Sequence, residues 1–317
     1  MRLAVYVPLL LALVAPFGAR PLAERCEPRL ATWLLTASAV VLAAASTASL
    51  ALLAATGLIR VPPLAALGHW SATVARRDDP AELSVAVIAG ALLAAAAVAA
   101  LRMLWRRLRS LADAALDAAC MPAPPDGLVV VDDPAPEAFA LPGVPGRVIV
   151  STGMLQALDA GEHDILLAHE RAHLTSHHYA FVALAQLGAA ANPLLRPFAR
   201  AVTYTVERWA DERAVSATGD RRRVARTVGK AALAAHRAPL RSRVPAAALG
   251  MLGRIGARKP LGGAGPVPRR VAALLAPPTA LRTAPALVTA VVLTVAVWST
   301  AEAAHDLHVL LILVGAW

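Results

Sequence analysis

The residues best suited to chemistry are two histidines and a glutamate, arranged as His169-Glu170-x-x-His173. Residues four apart lie on one face of a helix, about one turn from each other, so the two imidazoles can converge on a single metal ion. Glu170 can then point at a water molecule bound to that ion. This spacing is typical of zinc hydrolases.

A third ligand is available in a second helical segment, residues 205–215. Glu207 lies 34 residues after His173 and can complete a set of two histidines and one glutamate, which leaves a fourth position open for water, as catalytic zinc requires. Asp211 lies one turn further on the same face and can accept the outer N–H of a ligating histidine. The sequence therefore predicts a Zn²⁺ site.

The elements that position these residues follow from hydrophobic periodicity. Residues 161–174 are predicted to form one buried helix around the motif, with carboxylates in the first turn, where the helix dipole favours them. Residues 128–131, 138–141 and 147–150 are short apolar runs between Pro and Gly turns, and they predict a small β-sheet. Residues 179–191 are apolar but too short to span a membrane. Asn192-Pro193 then starts the helix that returns Glu207 to the motif.

Several of these stretches together resemble a known family. They are the motif from His169 to His173, the run Ala191-Asn192-Pro193-Leu194, the run from Glu207 to Asp211, and residues 136–143 and 146–153. In combination they resemble the BlaR/MecR-type integral membrane zinc metallopeptidases, which are related to the HtpX-like proteases. The resemblance covers about half of the chain.

The resemblance implies a zinc endopeptidase of the gluzincin type, with an α+β domain. It implies that His169, His173 and Glu207 bind the metal and that Glu170 is the catalytic base, with Asp211 outside the ligand shell. In this family the strand nearest the zinc offers its free edge to the substrate. The alternative for the strand in this sequence is that it is an inner strand of the sheet. The residues expected in that role are Glu137, Ala138, Phe139, Ala140 and Leu141.

Composition indicates an integral membrane protein, because 58% of the 317 residues are hydrophobic and the mean hydropathy is +0.58. Four uncharged apolar stretches reach or approach the length that crosses a bilayer: residues 3–19, 31–59, 83–101 and 285–301. The net charge of +10 comes from scattered arginines without interleaved aromatic residues, so direct nucleic-acid binding is not expected. The two cysteines lie far apart and form no metal-binding pair.

The expected organisation is a membrane domain with three transmembrane helices (1–104), a zinc metallopeptidase domain (105–236), a Pro/Gly/Arg-rich connector with a short helix at 271–275 (237–283), and a fourth transmembrane helix with a short tail (284–317). Arginines after the third span and before the fourth place the peptidase domain in the cytoplasm. Arg60, Arg76 and Arg77 in the second loop are a counter-signal.

Three classes of function stay open. The first is a membrane-anchored endopeptidase that acts on protein or peptide substrates, in regulatory cleavage of a transcriptional repressor or in HtpX-like quality control. The second is an intramembrane protease, although charged residues flank the motif here. The third is a non-catalytic signalling protein with a structural zinc. The group that stabilises the oxyanion is left open among His177, His178, Tyr204 and Arg213.

Overall fold

The computed structural model describes residues 4–58, 83–121, 124–237, 265–277 and 283–315. The second loop and most of the predicted connector lie outside these residues. In the described part, four helical segments are long and apolar enough to cross a membrane, namely residues 4–25, 28–56, 83–120 and 284–309. This agrees with the predicted number of spans, and the motif helix is not among them.

The first membrane segment is broken by its prolines. It consists of α1 (Val7–Val14), a 3-10 turn at Ala15–Gly18 and α2 (Ala19–Arg25). Pro16 lacks an amide proton and cannot continue the α-helical ladder, which explains the tighter turn. The other membrane segments are α3 (Pro28–Leu58), α4 (Leu83–Cys120) and, at the end of the chain, α11 (Thr283–Gly315).

The sheet has three strands, β1 (Leu128–Val131), β2 (Ala138–Leu141) and β3 (Arg147–Ser151), in the order β1-β3-β2. Strand β3 pairs in parallel with β1 and antiparallel with β2. The strand positions agree with those predicted from the apolar runs, apart from one residue at the end of β3.

Helices follow the sheet and complete the domain. They are α5 (Thr152–Ala157), α6 (Ala160–Thr175), α7 (His178–Ala191), α8 (Arg196–Thr218), α9 (Arg221–Arg237) and α10 (Pro266–Leu275). One face of the sheet, with Val148 and Val150, packs on Ile165 and Leu166 of α6. The other face, with Phe139 and Leu141, packs on the last turns of α4. The sheet therefore joins the motif helix to a helix that also enters the membrane.

Two helices extend beyond their predicted limits. Helix α10 begins five residues before the predicted short helix, at Pro266, and packs against α9 rather than standing apart from the domain. Helix α11 continues to Gly315, so residues 305–315 are helical and not a tail. Pro266 lies in the first turn of α10, where its missing amide proton costs nothing.

Candidate metal centre

Helix α6 presents the motif residues to the interior of the domain. It begins with a reciprocal capping pair, in which the Asp159 side chain accepts from the Glu162 amide and the Glu162 side chain accepts from the Asp159 amide. His169, Glu170 and His173 follow, and all three are buried. The Nε2 atoms of the two histidines are 3.2 Å apart. The helix therefore points both imidazoles at one position.

Helix α8 crosses α6 and brings Glu207 to the same position. Its Oε2 atom lies 3.7 Å from His169 Nε2, and its Oε1 atom lies 3.7 Å from His173 Nε2. Metal–ligand bonds of about 2.0–2.2 Å in tetrahedral geometry separate ligand atoms by roughly 3.3–3.6 Å. The three side chains thus already have the spacing of a tetrahedral metal site with one position left open.

Arg270 of α10 anchors the acidic residues of α8. Its Nε and Nη2 atoms donate to Asp211 at 2.8 and 2.6 Å, and its Nη1 atom donates to Glu207 Oε2 at 2.9 Å. Asp211 Oδ1 lies 3.1 Å from His169 Nδ1, on the side of the ring away from the proposed metal. One guanidinium therefore holds both Glu207 and the carboxylate behind His169.

These charges shift the pKa values of their neighbours. Burial lowers the pKa of His169, but the carboxylates of Asp211 and Glu207 outweigh burial and raise it to about 9. Burial raises the pKa of Glu207 and Asp211, but the Arg270 charge outweighs it and holds both below their usual range. Both carboxylates are therefore ionised.

The charge of the buried cluster fits a divalent metal. Glu170, Glu207 and Asp211 are buried carboxylates, and Arg270 is the buried cation that faces them. When both histidines are neutral, as metal binding requires, three carboxylates and one guanidinium leave two negative charges, and a buried uncompensated charge is costly. A Zn²⁺ ion between His169, His173 and Glu207 would neutralise the cluster. The donor set of two nitrogens and one oxygen is also the one that catalytic zinc prefers.

His178 contacts the second histidine ligand from behind. It is fully buried at the start of α7, and its Nδ1 atom lies 2.9 Å from His173 Nδ1. The Trp209 ring packs on it, with ring centroids 4.6 Å apart. Burial lowers the pKa of His178 to about 3, with the His169 and Arg213 charges acting in the same direction. The imidazole is therefore neutral.

The predicted site residues occupy distinct places. The structure brings together His169, His173 and Glu207, with Asp211 behind His169. Strand β2 is at an edge of the sheet and, in the described residues, pairs with β3 alone. Of the four candidates for oxyanion stabilisation, His178 lies behind His173, the Tyr204 ring is covered by Arg269, and His177 and Arg213 are exposed.

The sequence did not identify Arg270 as part of the site, because its partners Asp211 and Glu207 lie 59 and 63 positions before it. Arg270 itself lies in the segment that was predicted to be a connector. A signal was present, however. Val267, Val271 and Leu274 recur at helical spacing and pack into the core. Arg270 lies within that apolar stripe, where a cation needs a buried carboxylate partner.

A family model described as peptidase family M48 matches residues 102–291, which is more than half of the chain. The match begins in α4, includes all of the metal centre and Arg270, and ends in α11. No curated protein and no solved structure matches the chain.

Proposed function

Because the chain belongs to peptidase family M48, a zinc metallopeptidase family that includes the HtpX-like proteases, we propose that it is a membrane-anchored zinc endopeptidase of protein substrates. The observation that carries this proposal is the buried set of His169, His173 and Glu207, with Glu170 on the same helix. Four apolar helices are compatible with anchoring in the bilayer.

The chain's own residues would divide the work. Bound zinc would act as a Lewis acid and lower the pKa of water at the open position. Glu170 would accept a proton from the attacking water and deliver it to the leaving amine. Asp211 would keep the His169 ring oriented, and Arg270 would hold Asp211 and Glu207 in place.

The free edge of β2 is proposed to bind the substrate main chain. Its residues Ala138 and Phe139 alternate between the face that packs on α6 and the face that packs on α4. An extended peptide added at this edge would gain backbone hydrogen bonds without a requirement for a particular sequence. This mode suits an endopeptidase with varied protein substrates.

The narrower roles differ in their support. An HtpX-like role in quality control fits the family match. Neither the family match nor any contact among the described residues supports BlaR/MecR-type regulation by cleavage of a repressor, so this role is not proposed. We also propose that the peptidase domain lies in the cytoplasm, and this proposal rests on the arginines around the spans.

The proposal is tested by replacing Glu170 with Gln in the full chain, purified in detergent and loaded with zinc. We expect the amide to preserve packing and zinc content, and cleavage of an unfolded fluorescent protein to fall by about two orders of magnitude or more. Asp164→Asn on the exposed face of α6 is the matched control and should cleave at the wild-type rate. Wild-type cleavage by Glu170→Gln would rule out Glu170 as the base, whereas no cleavage by the zinc-loaded wild type would favour a structural zinc in a non-catalytic protein.

A further inference from the structure

His178 is buried beside the metal centre, yet it is not part of the ligand set. Its Nδ1 atom is 2.9 Å from His173 Nδ1, which is hydrogen-bonding distance between two imidazoles. Each neutral imidazole carries one N–H and one lone pair, so one ring donates in this contact and the other accepts. The direction of donation therefore decides which nitrogen of His173 carries its proton.

Only one direction is compatible with metal binding. If His178 donated, the proton of a neutral His173 would be on Nε2, and it would point at the position shared with His169 and Glu207. If His173 donates from Nδ1, its Nε2 lone pair faces that position. We propose that His178 is the positioning residue for His173: it accepts the Nδ1 proton and thereby presents Nε2 to the metal.

The described residues give the His178 ring one hydrogen-bond partner, which is His173. The Trp209 ring packs against the imidazole, and His178 Nε2 has no hydrogen-bond partner among the described residues. No partner in that part of the chain therefore competes with His173 for the orientation of the ring. The two histidine ligands are thus supported differently, His169 by the Asp211 carboxylate and His173 by an uncharged ring.

The local chain geometry explains how His178 reaches this place. His177 adopts the left-handed conformation, with φ of 51° and ψ of 41°, between the end of α6 and the start of α7. This turn returns the next residue towards the α6 face that carries His173. The His177 ring itself lies against Tyr179, with centroids 6.1 Å apart.

A matched pair of variants isolates the hydrogen bond, and the inference rests on the proposed zinc site. His178→Asn places a carbonyl oxygen near the position of Nδ1, whereas His178→Leu has the same branched shape without an acceptor. His177→Asn is the control, because asparagine tolerates the left-handed conformation. Zinc affinity is measured by chelator competition on the detergent-purified full chain. The visible absorption of the cobalt(II)-substituted protein gives a second readout of ligand geometry.

We expect His178→Leu to bind zinc about 10–100-fold more weakly than the wild type. His178→Asn and His177→Asn should keep nearly the wild-type affinity and cobalt spectrum. If His178→Leu does not fold, His178→Phe replaces it in the comparison, because its ring fills the space beside Trp209 without an acceptor. Equal zinc affinities for the acceptor and non-acceptor variants would overturn the role of His178. A wild-type chain without zinc would overturn the zinc site as well.

Discussion

At the scale of single residues, the most consequential contact is the one between Arg270 and the two carboxylates of α8. We expect Arg270→Met to destabilise the protein by about 3–5 kcal/mol, because it leaves Glu207 and Asp211 buried without their cation. The free energy is measured by denaturant unfolding of the metal-free protein in detergent.

The neighbouring Arg269 provides a control for this change. It lies over the Tyr204 ring and pairs with Glu24 at 2.8 Å, but this pair is partly exposed. Exposed ion pairs contribute roughly 0–1 kcal/mol, so Arg269→Met should have a much smaller effect. Similar losses for both variants would mean that the buried ion pairs of Arg270 contribute no more than the partly exposed pair of Arg269.

Most of the candidate metal site could be predicted from sequence because its residues come in pairs, and each pair is local to one helix. The spacing of His169 and His173 places them on one face wherever α6 lies in the fold, and Glu207 and Asp211 have the same relation on α8. Arg270 and His178 differ because their importance comes from packing between helices. No periodicity within either segment specifies which charged or polar group will lie opposite.

At the scale of elements, α7 packs closely on the membrane helix α3 through Gly188. A Cβ atom at this position would lie 2.6 Å from the backbone oxygen of Ala39. The backbone of α3 cannot move aside without displacing its neighbours, so Gly188→Ala is expected to destabilise by about 1–3 kcal/mol. The thermal unfolding midpoint in detergent should fall accordingly.

Gly229 in α9 is the matched control for Gly188. It is also a helical glycine, but an added Cβ atom would meet nothing within 4 Å. Gly229→Ala should therefore stabilise the protein by up to about 1 kcal/mol through helix propensity. If both alanine variants were stabilising, close contact between α7 and α3 would be ruled out.

The strands were predicted closely because β1, β2 and β3 are short apolar runs bounded by Pro and Gly. Helix ends were harder to predict. The charged and polar residues from Glu302 to His308 suggested the end of the last span, but they are compatible with helix and α11 continues through them. The start of α10 was obscured by a Pro/Gly-rich composition that is equally typical of a connector.

At the scale of the whole molecule, the peptidase domain contacts the ends of two of the membrane-length helices. The Arg208 side chain of α8 donates to the Ala23 carbonyl at the end of α2, and Arg269 of α10 reaches Glu24. The sheet packs on Ala114 and Ala118, in the last turns of α4. The end of α2 and the end of α4 therefore both contact the domain that carries the candidate metal centre.

The side of the membrane on which the peptidase domain lies can be predicted from the arginines next to the spans. Arg270 is buried in the candidate metal centre, whereas Arg106 and Arg109 are exposed in the part of α4 that follows its apolar residues. Basic residues next to a span favour the cytoplasmic side, so we predict a cytoplasmic peptidase domain.

A reporter that is active only in the cytoplasm should work when fused at Asp126, in the loop between α4 and β1. A reporter that is active only outside the cell should work at Trp317, because α11 crosses the membrane after the domain. The two sites carry opposite expectations in the same chain, so each is the control for the other. Exterior activity at Asp126 would reverse the orientation and would exclude cytoplasmic proteins as substrates, while the chemistry proposed for the metal centre would be unaffected.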